Sequence, residues 1–507
     1  MKNIMMPQAF SGDKKNIRGI LNAMLCKNYS SIFIFSFCFI IWYSIHPLTP
    51  PLLAANSSGW WSWWDQSNYL RITEEMLSFS IKTESFWPGY SLLATPFYFF
   101  FPGNPFIIFS FISGYILYEC TRRSLERYIS SFESVVISVI LVCLNYKLLY
   151  QSIIIPWNTT FIYAFFSILF YMHVGNIRNT RSLFFLTILA SLSFFCRPQD
   201  GFLAVVFCGY FIWTQSFGRE RWVLFATLGG LVSLFAVVTA LYFYVLLGGF
   251  FSAYIQSVAG HGFTFDQVPL RLYQMFFNGK LFFSSEYPQL AFMQLTPSIM
   301  IFNPLACLGV IFVLFRSIFS RKYFQILIFL GLPICYYASF NPVGNMVHFW
   351  TFSLFHYIWI YVTLFSVIGY IEVRDIFTER DFSLRNILPL AVTAGLAISS
   401  SVELNLRSVN SVSSDGVVYI DDLEFGVDKI EIRGLLGDDA LFVPGEELGL
   451  MVAVNGIELV PWRDFYVNSG SGFHSIFFID RVDSGSSISV RSENTFYEAV
   501  DVYSSGF

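Results

Sequence analysis

An aspartate set in a run of tryptophans is the feature of this 507-residue chain whose residue types best suit chemistry: Gly59-Trp60-Trp61-Ser62-Trp63-Trp64-Asp65-Gln66-Ser67-Asn68-Tyr69-Leu70-Arg71. Asp65 beside indole walls is costly to desolvate and tends towards a raised pKa. Such a carboxylate can take the proton of an attacking hydroxyl while an oxocarbenium-like centre develops, the task of a base in glycosyl transfer. The four Trp can pack on the C–H faces of a sugar ring, with Gln66, Tyr69 and Glu74 supplying polar contacts. Each residue also has a structural reading. The tryptophans suit an aromatic belt at a membrane surface. Asp65 can cap a helix that starts at Gln66, and Glu74 and Glu75 can pair with Arg71.

A phosphate-bearing substrate needs cations. The candidates outside the basic loops described below are Arg71, Lys82, Arg197, Arg271 and Lys280. Arg197 sits in Arg197-Pro198-Gln199-Asp200, between two short apolar runs, where a lone charge has either a ligand or a partner, and Asp200 is the partner at hand. Arg271 and Lys280 share a polar segment, 250–296, with His261, Asp266 and Glu286. Long segments of this kind are commonly functional; the alternative is an interfacial helix, Pro269 to Phe277. His348 ends a short polar stretch and either donates to substrate or is structural. The acids are scattered, so no metal cage is expected.

These residues are positioned by a chain that is 55% hydrophobic and 13% charged, with 60 Phe and a mean hydropathy of +0.58. Soluble domains carry about 25% charged residues, so lipid is the expected solvent and membrane lipids are expected partners. Apolar runs near 29–46, 104–120, 132–150, 157–174, 182–196, 202–215, 222–250, 296–315, 323–340, 349–371 and 387–401 predict a mainly α, polytopic helical membrane protein of about 11 spans. The pair 182–196 and 202–215 reads equally as a re-entrant hairpin. With residues 1–28 as a cytoplasmic tail, every short inside loop is positive, and 18 of the 24 basic residues before position 402 fall inside. The expected location is a bacterial inner membrane. Outer loops 46–104 and 250–296 then belong to a membrane domain, 29–401, and carry the candidate site.

From position 402 the composition changes, with 18 Asp/Glu against 6 Lys/Arg. Short alternating runs from Val417 to Ile420, Lys429 to Ile432, Leu448 to Val454, Ile457 to Val460, Phe473 to Ile479 and Ser487 to Val490 predict a periplasmic β-sandwich-like domain, 402–507. Asn455-Gly456 predicts a type I′ hairpin turn inside it. The eight Cys all lie in or beside apolar runs, and no C-x-x-C, phosphate-loop or dinucleotide-binding pattern occurs. Neither a cofactor nor a nucleic-acid partner is expected, and an activated sugar would have to arrive on a lipid.

An outward Asp soon after the first span, the Asp65-Gln66-x-x-Tyr69 pattern and the segment Trp87-Pro88-Gly89-Tyr90-Ser91-Leu92-Leu93, with the turn Phe101-Pro102-Gly103, resemble the GT-C superfamily of polytopic glycosyltransferases. Arg197-Pro198 and the C-terminal outer domain fit the same layout. The resemblance implies a polyprenyl-phosphate-linked sugar as donor, a lipid-linked glycan as acceptor and Asp65 as the essential acid of the first outer loop. Many relatives carry an acidic pair where this chain has Asp65-Gln66, which leaves Asp65 alone or calls in Glu74, Glu75, Asp266 or Glu286. Size and aromatic content further resemble phage-type serotype-converting O-antigen glucosyltransferases. Two other classes share the topology: a polysaccharide polymerase or ligase, and a lipid-linked sugar flippase or transporter.

Overall fold

Where a run of apolar side chains excludes water, its amide groups are satisfied most simply by the next turn of the same helix. Each of the eleven apolar runs carries helix in the computed structural model. It describes residues 17–45, 64–78, 87–177, 179–247, 265, 268–277, 299–339, 352–380 and 382–401. In the C-terminal region it describes 406–409, 417–420, 427–435, 450–459, 463–467, 472–482, 487–492 and 496–503. The helices are α1 Ile17–Ile45, α2 Trp64–Leu77, α3 Gly89–Ala94, α4 Ile107–Leu125, α5 Ser131–Ser138, α6 Thr160–Val174, α7 Thr180–Cys196, α8 Pro198–Gln215 and α9 Gly218–Leu247. They continue as α10 Val268–Phe277, α11 Ile299–Phe302, α12 Pro304–Ser317, α13 Arg321–Ile326, α14 Leu332–Ser339, α15 Phe352–Glu379 and α16 Leu384–Ser401. The α1 helix starts inside the segment expected to be a tail. Wider π turns follow α5 at Val139–Cys143, occupy Tyr146–Ile154, and join α13 to α14 at Leu327–Gly331.

The core runs along α6, which is apolar on all sides and buried over most of its length. Around it pack α4, α7 and α15. Buried hydroxyls of α6, α7 and α15 bond their own backbone. Ser167 donates to the Tyr163 carbonyl (2.5 Å), Thr187 to Leu183 (2.9 Å), Ser191 to Thr187 (2.9 Å) and Thr363 to Trp359 (2.8 Å). Such back-bonding satisfies a buried hydroxyl without a ligand.

The outer surface is apolar where a water-borne protein would be charged. Only 17% of the most apolar stretch of α9 is buried, and it exposes Leu234, Val237, Leu241 and Val245. The α1 helix exposes Phe33, Phe37 and Ile40. Among the described residues, one helix, Gly218–Val245, is by itself long and apolar enough to cross a membrane. The pair Ser131–Cys143 and Tyr146–Ile154, bent by 59°, would make a second. Several other apolar helices are only 10–17 residues long. Eleven separate crossings are therefore not established by helix length.

The connections that carry the basic residues meet at one end of the bundle. Lys322 Nζ donates to the Tyr128 hydroxyl (3.3 Å) and the Val174 carbonyl (3.4 Å). Arg127 donates to the Gly175 carbonyl (3.0 Å), and Arg374 to Glu133 (3.0 Å), which also accepts from Tyr370 (2.6 Å). Thr180 donates to Glu220 (2.9 Å), while Arg316 bridges Glu372 (2.6 Å) and Asn386 (3.0 Å).

Beyond residue 402 the described chain is strand: β1 Leu406–Val409, β2 Val417–Ile420, β3 Val427–Leu435, β4 Leu450–Val454, β5 Ile457–Leu459, β6 Arg463–Val467, β7 Gly472–Val482, β8 Ile488–Ser492 and β9 Phe496–Tyr503. They form a five-stranded antiparallel sheet, β1-β9-β3-β7-β6, and a four-stranded one, β2-β8-β4-β5. The β4–β5 hairpin turns at Asn455 (φ 51°) and Gly456 (φ 79°). Both central residues are left-handed, as a type I′ turn demands. The Asn455 amide donates to Ser487 O (2.9 Å) and its side chain accepts from Ser487 N (3.0 Å), tying the turn to β8.

Candidate functional site

The α2 helix is amphipathic, and its two faces decide the fate of three expected substrate contacts. Gln66 is fully buried, and its Nε2 donates to the Pro156 carbonyl at 3.0 Å. Tyr69 is 2% exposed; its ring lies edge-on to Tyr90 (5.5 Å, 84°), and its carbonyl accepts the Ser91 hydroxyl at 2.9 Å. Gln66 and Tyr69 thus fasten α2 to the bundle, and neither offers a face to a sugar. Glu74 is exposed and accepts the Tyr98 hydroxyl at 3.0 Å, fixing α2 to the turn after α3.

The helix is described from Trp64, so Asp65 is its second residue and stands within the first turn, not at a cap ahead of Gln66. Trp60, Trp61 and Trp63 lie outside the described residues, as do Lys82, His261, Asp266, Lys280, Glu286 and His348. Arg71 is on the open side of α2. It donates to Asn68 Oδ1 at 2.6 Å and stands 4.0 Å from Glu75, so its expected acidic neighbour is Glu75. Arg271 is the fourth residue of α10. That helix is not simply interfacial: Met275, Phe276 and Phe277 are buried, and the Phe276 carbonyl accepts the Cys307 thiol at 3.3 Å.

The α7 and α8 helices are separated by one extended residue, Arg197 (φ −156°, ψ 99°). Pro198 then starts α8, where a missing N–H costs nothing. Arg197 Nε lies 3.4 Å from Asp200 and 3.3 Å from Gln199 Oε1, and its guanidinium stacks 3.7 Å above the Tyr357 ring. Asp200 is buried and also accepts the Tyr337 hydroxyl; Tyr337 and Tyr357 stack at 5.2 Å and 12°. Asp200 stands in the first turn of α8, ahead of the apolar run 202–215. Burial pushes its carboxyl above the usual carboxylate range, opposed by the Arg197 charge and the Tyr337 hydroxyl. Arg197 is therefore held by the neighbour named from sequence. A phosphate there would have to share it with Asp200.

Two of the short motifs come into direct contact. Trp87 Nε1 donates to the Phe195 carbonyl, two residues before Arg197. Gly89 packs so closely on the same group that a Cβ would sit 2.0 Å from the Phe195 oxygen, so no larger residue fits without a shift. Tyr90 reaches the Thr160 hydroxyl (3.4 Å) at the start of α6, close to Pro156 and Gln66. The starts of α2, α3 and α6 and the α7–α8 link thus share one end of the bundle, opposite the basic end.

Sequence reasoning missed Tyr337 and Tyr357. Nothing distinguishes them among 28 Tyr until the fold sets their rings against Arg197 and Asp200. Among the described residues, no group of three or more His, Cys, Asp or Glu is arranged to hold a metal ion. Compared with models of known families and with curated proteins, the chain matches none.

Proposed function

We propose that the chain is a multi-span inner-membrane glycosyltransferase that moves a hexose, glucose in the first instance, from a polyprenyl-phosphate carrier to a lipid-linked glycan such as O-antigen. The supporting observation is the shared end of the bundle, where the helix bearing Asp65, the Trp87-Pro88-Gly89 segment and the Arg197 link meet. The exposed apolar surfaces of α1 and α9 support a lipid setting, and the basic residues gathered at the other end support its cytoplasmic placement. The site end then faces the periplasm, and the C-terminal strands form a sandwich there that roofs the site or holds the glycan.

In this reading an acceptor hydroxyl oxygen attacks the anomeric carbon. The bond from that carbon to the phosphate oxygen breaks, and the carrier phosphate leaves with the electron pair. Asp65 takes the hydroxyl proton. Arg197, with Arg71, Arg271 and Lys280, neutralises the phosphate. Trp60, Trp61, Trp63 and Trp64 wall the sugar, and His261, Asp266, Glu286 and His348 border the acceptor.

Mass spectrometry of surface polysaccharide from cells with and without this chain tests the reading. The expected difference is one hexose per repeat, lost in Asp65→Asn while the protein remains inserted. Wild-type transfer by that variant would remove Asp65 from the mechanism. Purified protein that ignores a polyprenyl-phosphate monosaccharide and extends diphosphate-linked oligosaccharides would be a polymerase, and one that moves lipid-linked sugar across proteoliposomes without transfer would be a flippase.

A further inference from the structure

The α7 and α9 helices run side by side from a common start. The Thr180 hydroxyl at the head of α7 donates to Glu220 Oε2 at the head of α9 at 2.9 Å, and the two helices pack along their length. Between them lies a groove of about 660 Å³. Its floor is apolar, built from Phe184 and Phe185 of α7 and Val223 of α9, all exposed. Its rim at the head of the helices carries Arg181 and Arg219.

The charges on this rim are disposed differently. Glu220 is engaged by Thr180. Arg221 turns away, donating twice to the Ser216 carbonyl (3.0 and 2.7 Å) and lying 4.5 Å over the Trp213 ring. Arg181 and Arg219 are exposed and, among the described residues, make no ion pair with a carboxylate. Two exposed arginines therefore stand at the head of the helices that form a hydrocarbon-lined slot.

We infer that this groove binds an anionic glycerophospholipid of the bilayer, with its phosphate between Arg181 and Arg219 and an acyl chain along Phe184, Phe185 and Val223. Guanidinium groups recognise phosphate oxygens through paired, charge-assisted hydrogen bonds. A basic pocket between helices on the cytoplasmic side suits an anionic headgroup. The groove lies at the basic end, away from the Arg197 link, so it is not the place of the sugar donor. The inference rests on the membrane placement proposed above, and not on the transfer reaction.

Native mass spectrometry of the full chain purified in detergent tests it, with phosphatidylglycerol and phosphatidylethanolamine as probes. Phosphatidylglycerol should be retained selectively. The Arg181→Gln/Arg219→Gln pair should weaken its binding by roughly 30-fold, from the contribution of two basic residues near a lipid surface. Arg321→Gln, an exposed arginine at the same end, should leave it unchanged. Equal retention of both lipids, or equal loss in Arg321→Gln, would overturn the site. A two-chain species that excludes lipid would assign the groove to a second copy instead. Recovery of the chain without detergent would overturn the membrane placement along with it. A transferase-dead but lipid-selective protein would leave this inference standing.

Discussion

The two ends of the helical bundle handle charge in opposite ways. At the basic end, cations are many and their partners are shared. Arg122 contacts both Glu119 and Glu126, Glu119 also takes Arg123, and Glu133 takes both Arg374 and the Tyr370 hydroxyl. Arg123, Arg374 and Glu133 reach the surface, while the Arg122–Glu119 pair is enclosed but shares its charges with Arg123 and Glu126. At the other end the described ion pair at the helix link is Arg197–Asp200, with side chains 12% and 2% exposed, closed over by Tyr337 and Tyr357. Redundant, solvent-reaching charge suits orientation and lipid contact. A single enclosed pair suits the fixing of a cation in a place water does not screen, which is where a phosphate can be recognised.

The sharpest way to break this contrast is Asp65→Asn. If the enclosed end is the reacting end, sugar transfer should fall by about 10²–10⁴, the contribution of a positioned general base. Single-turnover assays with purified protein would measure this, and no charge removal at the basic end should reproduce it. Next comes Asp200→Ala, which strands the Arg197 charge. Losing one partner of a buried pair costs about 3–5 kcal/mol, read as a lower melting temperature in detergent. If Asp200→Ala is as stable as wild type, Arg197 reaches water and the enclosure is wrong. Gly89→Ala sharpens the same point with no charge involved. A methyl 2.0 Å from the Phe195 oxygen forces α3 away from the α7–α8 link, for about 1–3 kcal/mol of overpacking. Transfer should drop with it if that contact positions the site.

Much of the helical scaffold was legible in the sequence because long apolar runs leave the backbone little choice. The run read as 104–120 became Ile107–Leu125, and 349–371 became Phe352–Glu379. In the acidic tail β2 has the bounds its alternation gave, and Asn455-Gly456 turns as expected. Strands β1, β6 and β9 escaped notice. Arg463-Asp464 and the charges in Phe496–Tyr503 blur the alternation, and only their neighbours in the sheet make these segments strands. The site was legible in its contacts along the chain and not across it. Arg197 with Asp200 is a spacing of three and was visible; the Tyr337 and Tyr357 rings come from helices more than 130 residues away. Gln66 and Tyr69 misled for a related reason. A polar residue and a tyrosine three positions apart look like a motif, yet that interval also places both on the buried face of a short helix.

The smallest expected effect is at the basic end, and it is the counterpart that gives the others meaning. Glu133→Gln removes the carboxylate that Arg374 contacts at 3.0 Å, with both side chains about 30% exposed. Arg374 keeps Asp375 at 3.7 Å and the Tyr128 carbonyl at 3.4 Å, and glutamine can still accept the Tyr370 hydroxyl. An exposed pair with substitutes at hand is worth about 0–1 kcal/mol, so unfolding and transfer should both stay near wild type. A loss as large as that of Asp200→Ala would mean that the basic end is as tightly coupled as the enclosed one. The division of labour between the two ends would then have to be abandoned.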